Sequence, residues 1–375
     1  MLRSVFNSLV IVALLLAATP SLAQQRPAGS QAFARIAAQA EQARTAGRLD
    51  QAISFYRQAL AMQPRWAEGW WYLGTLFYDR DAFAEAAEAL AKATTLSPQV
   101  GTAWVLLGLC EFRLNRYNDA LTHIQRGRRL GVSADPQFRQ VMLYHEGVLL
   151  IGKGEFEQAQ ETLGSLSRDG VESEDVTIAL GLSVLRLRPS DLLAGDSALR
   201  QMVLRAGQAE RLAAQKKFDE ASREYERLAT DYATRPNIQY AYGRYLLASN
   251  DTEKAVAAFE RELENNPASL PAHLFLADAK LKLRDFTGGL PLAEKAVKLN
   301  PKLPLGHYLL GSLLLETGET ARAISELETA ERRLPNEPKI QFALGRAYAR
   351  AGRQQDAARA RANFERLTKE AEAKP

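Results

Sequence analysis

Bulky apolar residues and small residues recur along this chain with a period of 34 residues. In one unit Trp70, Leu73 and Phe77 lie three and four positions apart, a spacing that places them on one face of a helix. A second amphipathic stretch follows and ends at a proline, which cannot donate the next backbone hydrogen bond. The prolines that show the period are Pro64 and Pro98, and then Pro267, Pro301 and Pro335. The pattern predicts one pair of antiparallel helices for each period.

A small residue marks the same place in the first helix of ten candidate units. These residues are Ala40, Gly74, Gly108, Gly147, Gly181, Ala209, Gly243, Ala277, Gly311 and Gly345. Together with the motif Trp70-x-x-Leu73-Gly74-x-x-Phe77 and the closing prolines, they resemble the tetratricopeptide repeat family. The resemblance implies an all-α fold, a right-handed α-solenoid (superhelix) of about nine to ten helix pairs in two arrays. The resemblance also implies that the protein acts by binding other molecules.

The period divides the chain into two arrays with an irregular segment between them. We assign residues 33–166 to an N-terminal array and residues 206–375 to a C-terminal array that ends in a polar capping helix. Between them, Pro189 interrupts the pattern and the unit marked by Gly181 has no recognisable second helix. We therefore predict an irregular helical joint at residues 167–205. An inserted catalytic domain is the alternative, but about 40 residues are too few to form a core of their own.

The N-terminal segment has the pattern of a secretory signal peptide. Arg3 is followed by a run without polar side chains from Leu9 to Ala18, shorter than the roughly 20 residues that a membrane-spanning helix needs. Ser21-Leu22-Ala23 then fits a cleavage site, so we predict a signal peptide at residues 1–23, cleaved after Ala23, and a flexible lead-in at residues 24–32. These features favour export, into a bacterial periplasm; an uncleaved membrane anchor is the alternative.

Composition excludes several classes of function. The chain has 48 basic and 44 acidic residues, a net charge of +4 that is too small for a nucleic-acid binder. A single cysteine, Cys110, excludes an intrachain disulfide and a thiolate zinc cluster. We expect Cys110 to be a small buried side chain of a first helix.

No motif for catalysis or for cofactor binding occurs in the sequence, so we expect no enzymatic activity and no cofactor. His273 and His307 are one period apart and stand where earlier units have tryptophan. No further ligand type recurs beside them, so packing is favoured over a metal site. Glu111 replaces an aromatic residue, and a buried carboxylate needs a partner. We expect an arginine or solvent to supply one, with ligand recognition as the alternative.

The family resemblance implies that the second, fifth, ninth and twelfth residues of each unit line a concave groove. In the N-terminal array these places and their neighbours are mostly apolar: Trp71, Tyr78, Val105, Leu109, Phe112, Tyr144, Val148 and Ile151. In the C-terminal array the fifth residues are Tyr240, Leu274, Tyr308 and Phe342, beside Arg244, Asp278, Ser312 and Arg346. We predict the N-terminal set as partner-binding residues, together with Tyr240, Arg244, Leu274, Tyr308, Phe342 and Arg346 of the C-terminal array. Packing between units is the alternative for each of them.

These features favour a non-enzymatic protein-protein interaction scaffold in the bacterial cell envelope, which binds protein or peptide segments in its grooves. The alternative is a periplasmic carrier or chaperone-like protein that holds a lipid, a glycan or an unfolded substrate in the apolar groove. An enzyme built at the irregular joint is the least favoured hypothesis. A cytosolic chaperone adaptor is disfavoured, because relatives of that kind clamp a carboxylate with asparagines and lysines, and Tyr72 and Tyr308 occupy comparable places here.

Overall fold

A computed structural model describes residues 28–194 and 196–373. This part of the chain contains nineteen α-helices, one short 3-10 helix and no β-strand. The residues divide into two compact units, unit 1 (Met1–Lys217) and unit 2 (Phe218–Pro375). The predicted signal peptide lies outside the described residues, and the first helix begins at Ala28, within the stretch predicted to be a flexible lead-in. No helix in the described part is long and apolar enough to cross a bilayer.

The described part of unit 1 contains ten α-helices, which pack as five consecutive pairs. They are α1 (Ala28–Thr45), α2 (Leu49–Met62), α3 (Ala67–Asp79), α4 (Phe83–Leu96), α5 (Gly101–Arg113), α6 (Tyr117–Leu130), α7 (Pro136–Lys153), α8 (Phe156–Arg168), α9 (Glu174–Val184) and α10 (Ser197–Ala214). The 3-10 helix Pro189–Ala194 lies between α9 and α10 and packs against α7.

Unit 2 begins with a single helix, which packs against the first of four pairs. Its helices are α11 (Phe218–Asp231), α12 (Ile238–Ala248), α13 (Thr252–Asn265), α14 (Leu270–Lys282), α15 (Phe286–Leu299), α16 (Pro304–Thr317), α17 (Thr320–Arg333), α18 (Pro338–Arg350) and α19 (Gln354–Glu372). The expected all-α solenoid of about nine to ten helix pairs is thereby confirmed, with nine pairs and one unpaired helix in the described residues.

In five of the nine described pairs, a glycine of the first helix lies in close contact with a bulky residue of the second. A Cβ atom built on Gly74 would lie 2.7 Å from the side chain of Leu90, and one built on Gly243 would lie 2.7 Å from the ring of Phe259. No real Cβ atom fits at such distances, so the two helix axes approach as closely as glycine permits. The recurring small residue in the sequence therefore sets the geometry of the pair.

Backbone conformation at the turns within pairs agrees with the sequence. Four glycines at these turns have positive φ angles: Gly47 (68°), Gly154 (84°), Gly318 (97°) and Gly352 (76°). Such a conformation ends a helix and costs a glycine nothing, because it has no Cβ atom.

The pairing of α9 and α10 differs from the sequence-based interpretation. Ala209 was assigned to the first helix of its own unit, whereas in the structure α10, which carries Ala209, is the second helix of the pair that α9 begins. Gly181 and Gly207 allow this contact, since a Cβ atom on either would lie within 2 Å of a backbone oxygen, that of Val203 (1.9 Å) or Thr177 (1.8 Å). The unit marked by Gly181 therefore does have a second helix, reached through the connection that contains Pro189.

A buried carboxylate fixes the beginning of α12. Glu262, on α13, is fully buried and accepts hydrogen bonds from the backbone nitrogens of Asn237 (2.9 Å) and Tyr240 (3.2 Å). The first backbone N–H groups of a helix have no partner within the helix. The neighbouring helix of the pair therefore supplies the cap.

The close contact between α9 and α10 makes a strong prediction for unit 1. Gly181→Ala should lower the free energy of unfolding by about 3 kcal/mol or more, because backbone atoms cannot rotate away from the added methyl group. Gly152→Ala is the matched control: it adds the same methyl group on α7, where no atom lies within 4 Å, and should change stability by less than about 1 kcal/mol. Tryptophan fluorescence during denaturant unfolding measures this, because all four tryptophans lie in unit 1. Equal midpoints for the two variants would contradict the observed contact.

Candidate partner-binding surface

The first helices of the pairs lie side by side within each unit. They are α1, α3, α5, α7 and α9 in unit 1, and α12, α14, α16 and α18 in unit 2. Side chains join neighbouring members directly: the rings of Phe112 (α5) and His145 (α7) are 4.8 Å apart, and Arg346 (α18) forms an ion pair of 2.8 Å with Glu316 (α16). We call the side of each unit formed by these helices its first-helix face.

Most of the apolar residues predicted to line the groove of unit 1 are buried. They are Val105, Leu109, Tyr144, Val148 and Ile151, on α5 and α7. Adjacent first helices contact one another, so a large apolar side chain between two of them is enclosed by both. The structure therefore places these five residues in the core of unit 1. This agrees with the alternative interpretation, in which they pack between units.

The other three predicted residues of unit 1 are partly exposed. Tyr78 packs its ring against Phe83, with the ring centres 5.7 Å apart, and burial raises its pKa to about 12. The ring of Phe112 contacts both Tyr117 (5.7 Å) and His145 (4.8 Å). Trp71 is half-buried on α3.

In unit 2 the exposure of the predicted residues rises toward the C-terminal end. Tyr240 and Leu274 are buried, and the guanidinium group of Arg244 lies over the rings of Tyr240 (6.0 Å) and Phe275 (5.8 Å). Tyr308 is half-buried. Helix α18 is the first helix of the final pair, and it carries the other two predicted residues, Phe342 and Arg346. Both are exposed, and 52% of the surface of Phe342 is open to solvent. No further first helix of the described chain lies against it, so this aromatic ring stays accessible.

Charged side chains surround these open residues. We define the α14–α16–α18 surface as Asp278, Lys282, Tyr308, Ser312, Glu316, Phe342 and Arg346. Lys282 forms an ion pair of 2.7 Å with Asp278, and Arg346 pairs with Glu316. These pairs are partly exposed, so each contributes little to stability and can exchange partners at low cost.

Tyr308 lies at the centre of this surface. Burial raises its pKa, a hydrogen bond with Ser312 opposes the shift, and the carboxylates of Asp278 and Glu337 add to it. Asp278 is on α14 and Glu337 immediately precedes α18, so Tyr308 on α16 lies between both neighbours. The surface therefore combines one exposed ring, one half-buried ring and balanced charges.

Several surface residues escaped the sequence analysis. Lys282 and Glu316, which supply the partners of Asp278 and Arg346, are themselves 34 residues apart. They stand one helical turn beyond the ninth residue of their units, so counting one turn further would have found them. Phe364, on α19, contacts Phe342 with ring centres 5.4 Å apart. The repeat gives no signal for Phe364, because this place is occupied by alanine in several other units, such as that of Ala330.

A second polar cluster was also not predicted. The carboxylate of Glu41 (α1) accepts hydrogen bonds from Arg44 Nε (2.9 Å) and from the hydroxyl of Tyr56 (3.1 Å). The guanidinium group of Arg44 also lies 4.4 Å from the ring centre of Tyr72. Its hydrogen bond with Arg44 lowers the pKa of Glu41, although burial opposes this shift. The cluster is internally satisfied and ties α1 to α2 and α3.

The residues considered for chemistry occupy structural positions. Glu111 is buried and pairs with Nδ1 of His123 at 2.7 Å, a histidine where an arginine or solvent was expected. His273 and His307 are buried, and their ring nitrogens contact Ser269 O (2.8 Å) and Glu326 Oε2 (2.6 Å), as the packing interpretation expects.

Cys110 is fully buried on α5, and burial raises the pKa of its thiol to about 12. The interpretation of Cys110 as a small buried side chain is confirmed. Within the described residues, no group of three histidine, cysteine or acidic side chains could hold a metal ion.

Two depressions of the described surface lie in unit 1. One of about 610 Å³ lies between α2 and α4 of unit 1, and its lining includes Asp50, Arg57, Phe77, Arg80 and Glu85. Opposite charges face each other across it, with Arg80 and Asp50 in contact. The lining of this depression includes no exposed aromatic ring, whereas the α14–α16–α18 surface has Phe342, so the α14–α16–α18 surface is the better candidate for partner binding.

Comparison with known families identifies the class of protein. One family model described as Tetratricopeptide repeat matches residues 37–101, 83–131, 274–338 and 308–363, and a second model with the same description matches residues 236–279. Together these matches cover more than half of the chain, so the chain belongs to the tetratricopeptide repeat family. Membership of this family supports a role as a protein-interaction scaffold.

Individual relatives share only part of the chain. The anaphase-promoting complex subunit 3 of Schizosaccharomyces pombe is 25% identical over 135 residues, which are 34% of this chain and 20% of that protein. The general transcriptional corepressor ssn6 of the same organism is 30% identical over 112 residues, 29% of this chain and 10% of its own. The chain thus spans a fifth or less of the length of these curated relatives.

Solved structures with a similar fold include MamA from Desulfovibrio magneticus RS-1, with 23% identity and a TM-score of 0.41 over 47% of this chain and 98% of that one. YrrB, described as a TPR protein with an unusual peptide-binding site, has 17% identity and a TM-score of 0.40 over 48% of this chain and 90% of that one. The likeness concerns the fold.

The histidine beside Phe112 predicts how the stability of unit 1 depends on pH. Burial lowers the pKa of His145 from 6.5 to about 4, and Arg113 adds to the effect. The unfolded chain therefore binds the proton more tightly, so this group destabilises unit 1 as the pH falls from about 6.5 to 4. His145→Phe removes the titrating group, and its tryptophan-monitored unfolding free energy should fall less steeply over this range than that of the natural protein. Parallel curves would contradict the burial of a neutral His145.

Proposed function

We propose that this protein is a non-catalytic scaffold, exported to the bacterial cell envelope, that binds a segment of a partner protein on the α14–α16–α18 surface. The observation that carries the proposal is Phe342, which has 52% of its surface exposed, whereas the other first-helix aromatics of the described residues are buried or only partly exposed. An exposed ring beside displaceable ion pairs is suited to anchor an extended or helical segment.

The arrangement around Phe342 supports recognition of one partner residue at a time. The ring of Phe364 supports Phe342 from one side, which leaves the ring held in place before binding. Arg346 and Lys282 can each exchange a carboxylate of this chain for one of the partner, because their present ion pairs are partly exposed. Binding would therefore combine a preorganised apolar anchor with ionic contacts around it.

The carrier hypothesis is less well supported. It requires an open apolar groove in unit 1, and residues such as Leu109 and Ile151 that were expected to form it are enclosed. A lipid chain would have to separate first helices that pack against one another, at the cost of their buried area. The scaffold hypothesis needs no such opening.

Phe342→Ala tests the proposed surface. Cross-linking in the native envelope identifies the partner, and titration calorimetry then measures its affinity for the purified protein. The variant should bind about tenfold to a hundredfold more weakly, because truncation of an aromatic anchor removes most of its contact area.

Tyr117→Ala is the matched control for this experiment. Tyr117 is 51% exposed, also contacts one other aromatic ring, and lies on a second helix of unit 1. Its substitution should leave the affinity unchanged. Equal affinities of the Phe342 variant and the natural protein, with folding intact by circular dichroism, would reject the α14–α16–α18 surface.

Export is tested separately by the N-terminus of the protein in its host. The expected chain begins at Gln24 and is recovered in the periplasmic fraction, since Ser21-Leu22-Ala23 has the small residues that signal peptidase requires. Intact mass spectrometry of the fractionated protein measures this. A mass that includes Met1, or recovery in the cytoplasm, would overturn the proposed location and leave the binding surface unaffected.

A further inference from the structure

One edge of unit 2 combines exposed leucines with lysines and arginines. It is formed by the turns that connect one helix pair to the next, after α15 and after α17. We define the basic turn edge as Lys298, Leu299, Lys302, Leu305, Arg332, Arg333, Leu334 and Lys339. All eight residues are exposed.

Contacts within unit 2 bring the two turns together. A Cβ atom on Gly306, in the first turn of α16, would lie 3.4 Å from Val297 near the end of α15. Glu337, in the turn after α17, lies close enough to Tyr308 on α16 to affect the pKa of that residue. The end of α15, the beginning of α16 and the turn before α18 therefore share one edge.

The edge is strongly positive. Residues 298–305 and 332–339 contain five lysines or arginines and one acidic residue, Glu337, so their net charge is 5 − 1 = +4, equal to that of the whole chain. In the described part of unit 2, no carboxylate lies within ion-pair distance of Lys298, Lys302 or Arg333. The net charge of the chain is small, but this edge has a local excess of positive charge.

The leucines of this edge are unusually open for their type. Leu299 is 36% exposed, Leu305 46% and Leu334 45%. Three such side chains among cations form an apolar patch with a basic rim, the kind of surface that marks an interaction site.

The composition distinguishes between kinds of partner. Protein interfaces favour aromatic residues, are depleted in lysine, and seldom have leucine as an energetic anchor. This edge has leucines and lysines and no aromatic residue. Leucines that enter the outer layer of a bilayer, with lysine and arginine at the level of anionic headgroups, match it better. We propose that the basic turn edge binds the surface of an anionic lipid bilayer.

The opposite edge of the same unit supplies a matched control. Leu283, at the end of α14, is also 46% exposed and lies between Lys282 and Arg284. Acidic residues accompany it there, since Asp278 pairs with Lys282 and Asp285 with Lys280. A helix of thirteen residues separates the two edges by about 20 Å, so only one of them can contact a flat membrane.

Co-sedimentation with vesicles tests the proposal. The chain from Gln24 onward contains every described helix, and it should bind vesicles of phosphatidylcholine with phosphatidylglycerol but not vesicles of phosphatidylcholine alone. Lys302→Gln, Arg332→Gln and Arg333→Gln together should weaken this binding about a hundredfold, at roughly fivefold for each cation. Leu299→Ser with Leu334→Ser should weaken it about tenfold, because less apolar surface enters the bilayer. Leu283→Ser should leave it unchanged.

Three outcomes would overturn the proposal. The first is equal binding to both kinds of vesicle. The second is an effect of Leu283→Ser as large as that of Leu299→Ser with Leu334→Ser. The third is weaker binding when the cations are replaced but unchanged binding when the edge leucines are replaced. The third outcome would mean that any polyanion, including an acidic protein, satisfies the edge. Failure here would not affect the α14–α16–α18 surface, which is tested by Phe342→Ala on a partner protein.

Discussion

Five of the nine described helix pairs depend on one repeated contact, in which a glycine of the first helix meets a bulky side chain of the second. Gly147 with Leu163 and Gly311 with Leu327 repeat the geometry of the pairs described above, with Cβ positions 2.5 and 2.7 Å from the facing side chain. Because a Cβ atom does not fit at these distances, the contact fixes both the axial distance and the register of the pairs that contain it. A pair of this kind leaves apolar surface on its outer sides, which only the next pair can cover. The sequence has a period because every pair must both close on itself in this way and cover the apolar surface of its neighbour.

The same contact explains which parts of the fold were predictable. Helix pairs follow from the sequence wherever the small residue, the bulky residue and the proline recur at their fixed distances. The pairing of α10 did not follow, because its close contact uses Gly207 while the repeat register pointed to Ala209, only two positions away. An amphipathic helix with small residues at both places can join the preceding or the following helix. The choice depends on which backbone it can approach most closely, and sequence spacing does not contain that information.

The candidate site shows a second limit of the sequence pattern. Tyr240 and Phe342 occupy the same place in their units, yet Tyr240 is buried and Phe342 is half exposed. Periodicity gives the direction of a side chain from its helix, whereas burial depends on what the neighbouring helix places against it. The ring of Phe275 on α14 lies against Tyr240, while α18 is the last first helix in the described chain. Large side chains at groove positions in the middle of a stack are therefore buried wholly or in part, and at the end of the stack such a side chain is exposed.

The position of charged residues on the surface of unit 2 is set by the stacking of the helix pairs and cannot be seen from the net charge of the sequence. A net charge of +4 argued against a nucleic-acid binder, but that number is a sum over the chain and says nothing of where the charges lie. In the stack every turn between pairs falls on one edge, so cations that are 34 residues apart, such as Lys298 and Arg332, become spatial neighbours. Carboxylates such as Glu316 and Asp278 pair with cations on the first-helix face instead. Since Leu299 and Leu334 lie at or beyond the ends of second helices, a segment bound across Tyr308 and Phe342 would leave them uncovered. The repeat thus gives one rigid stack two chemically different surfaces that need not compete.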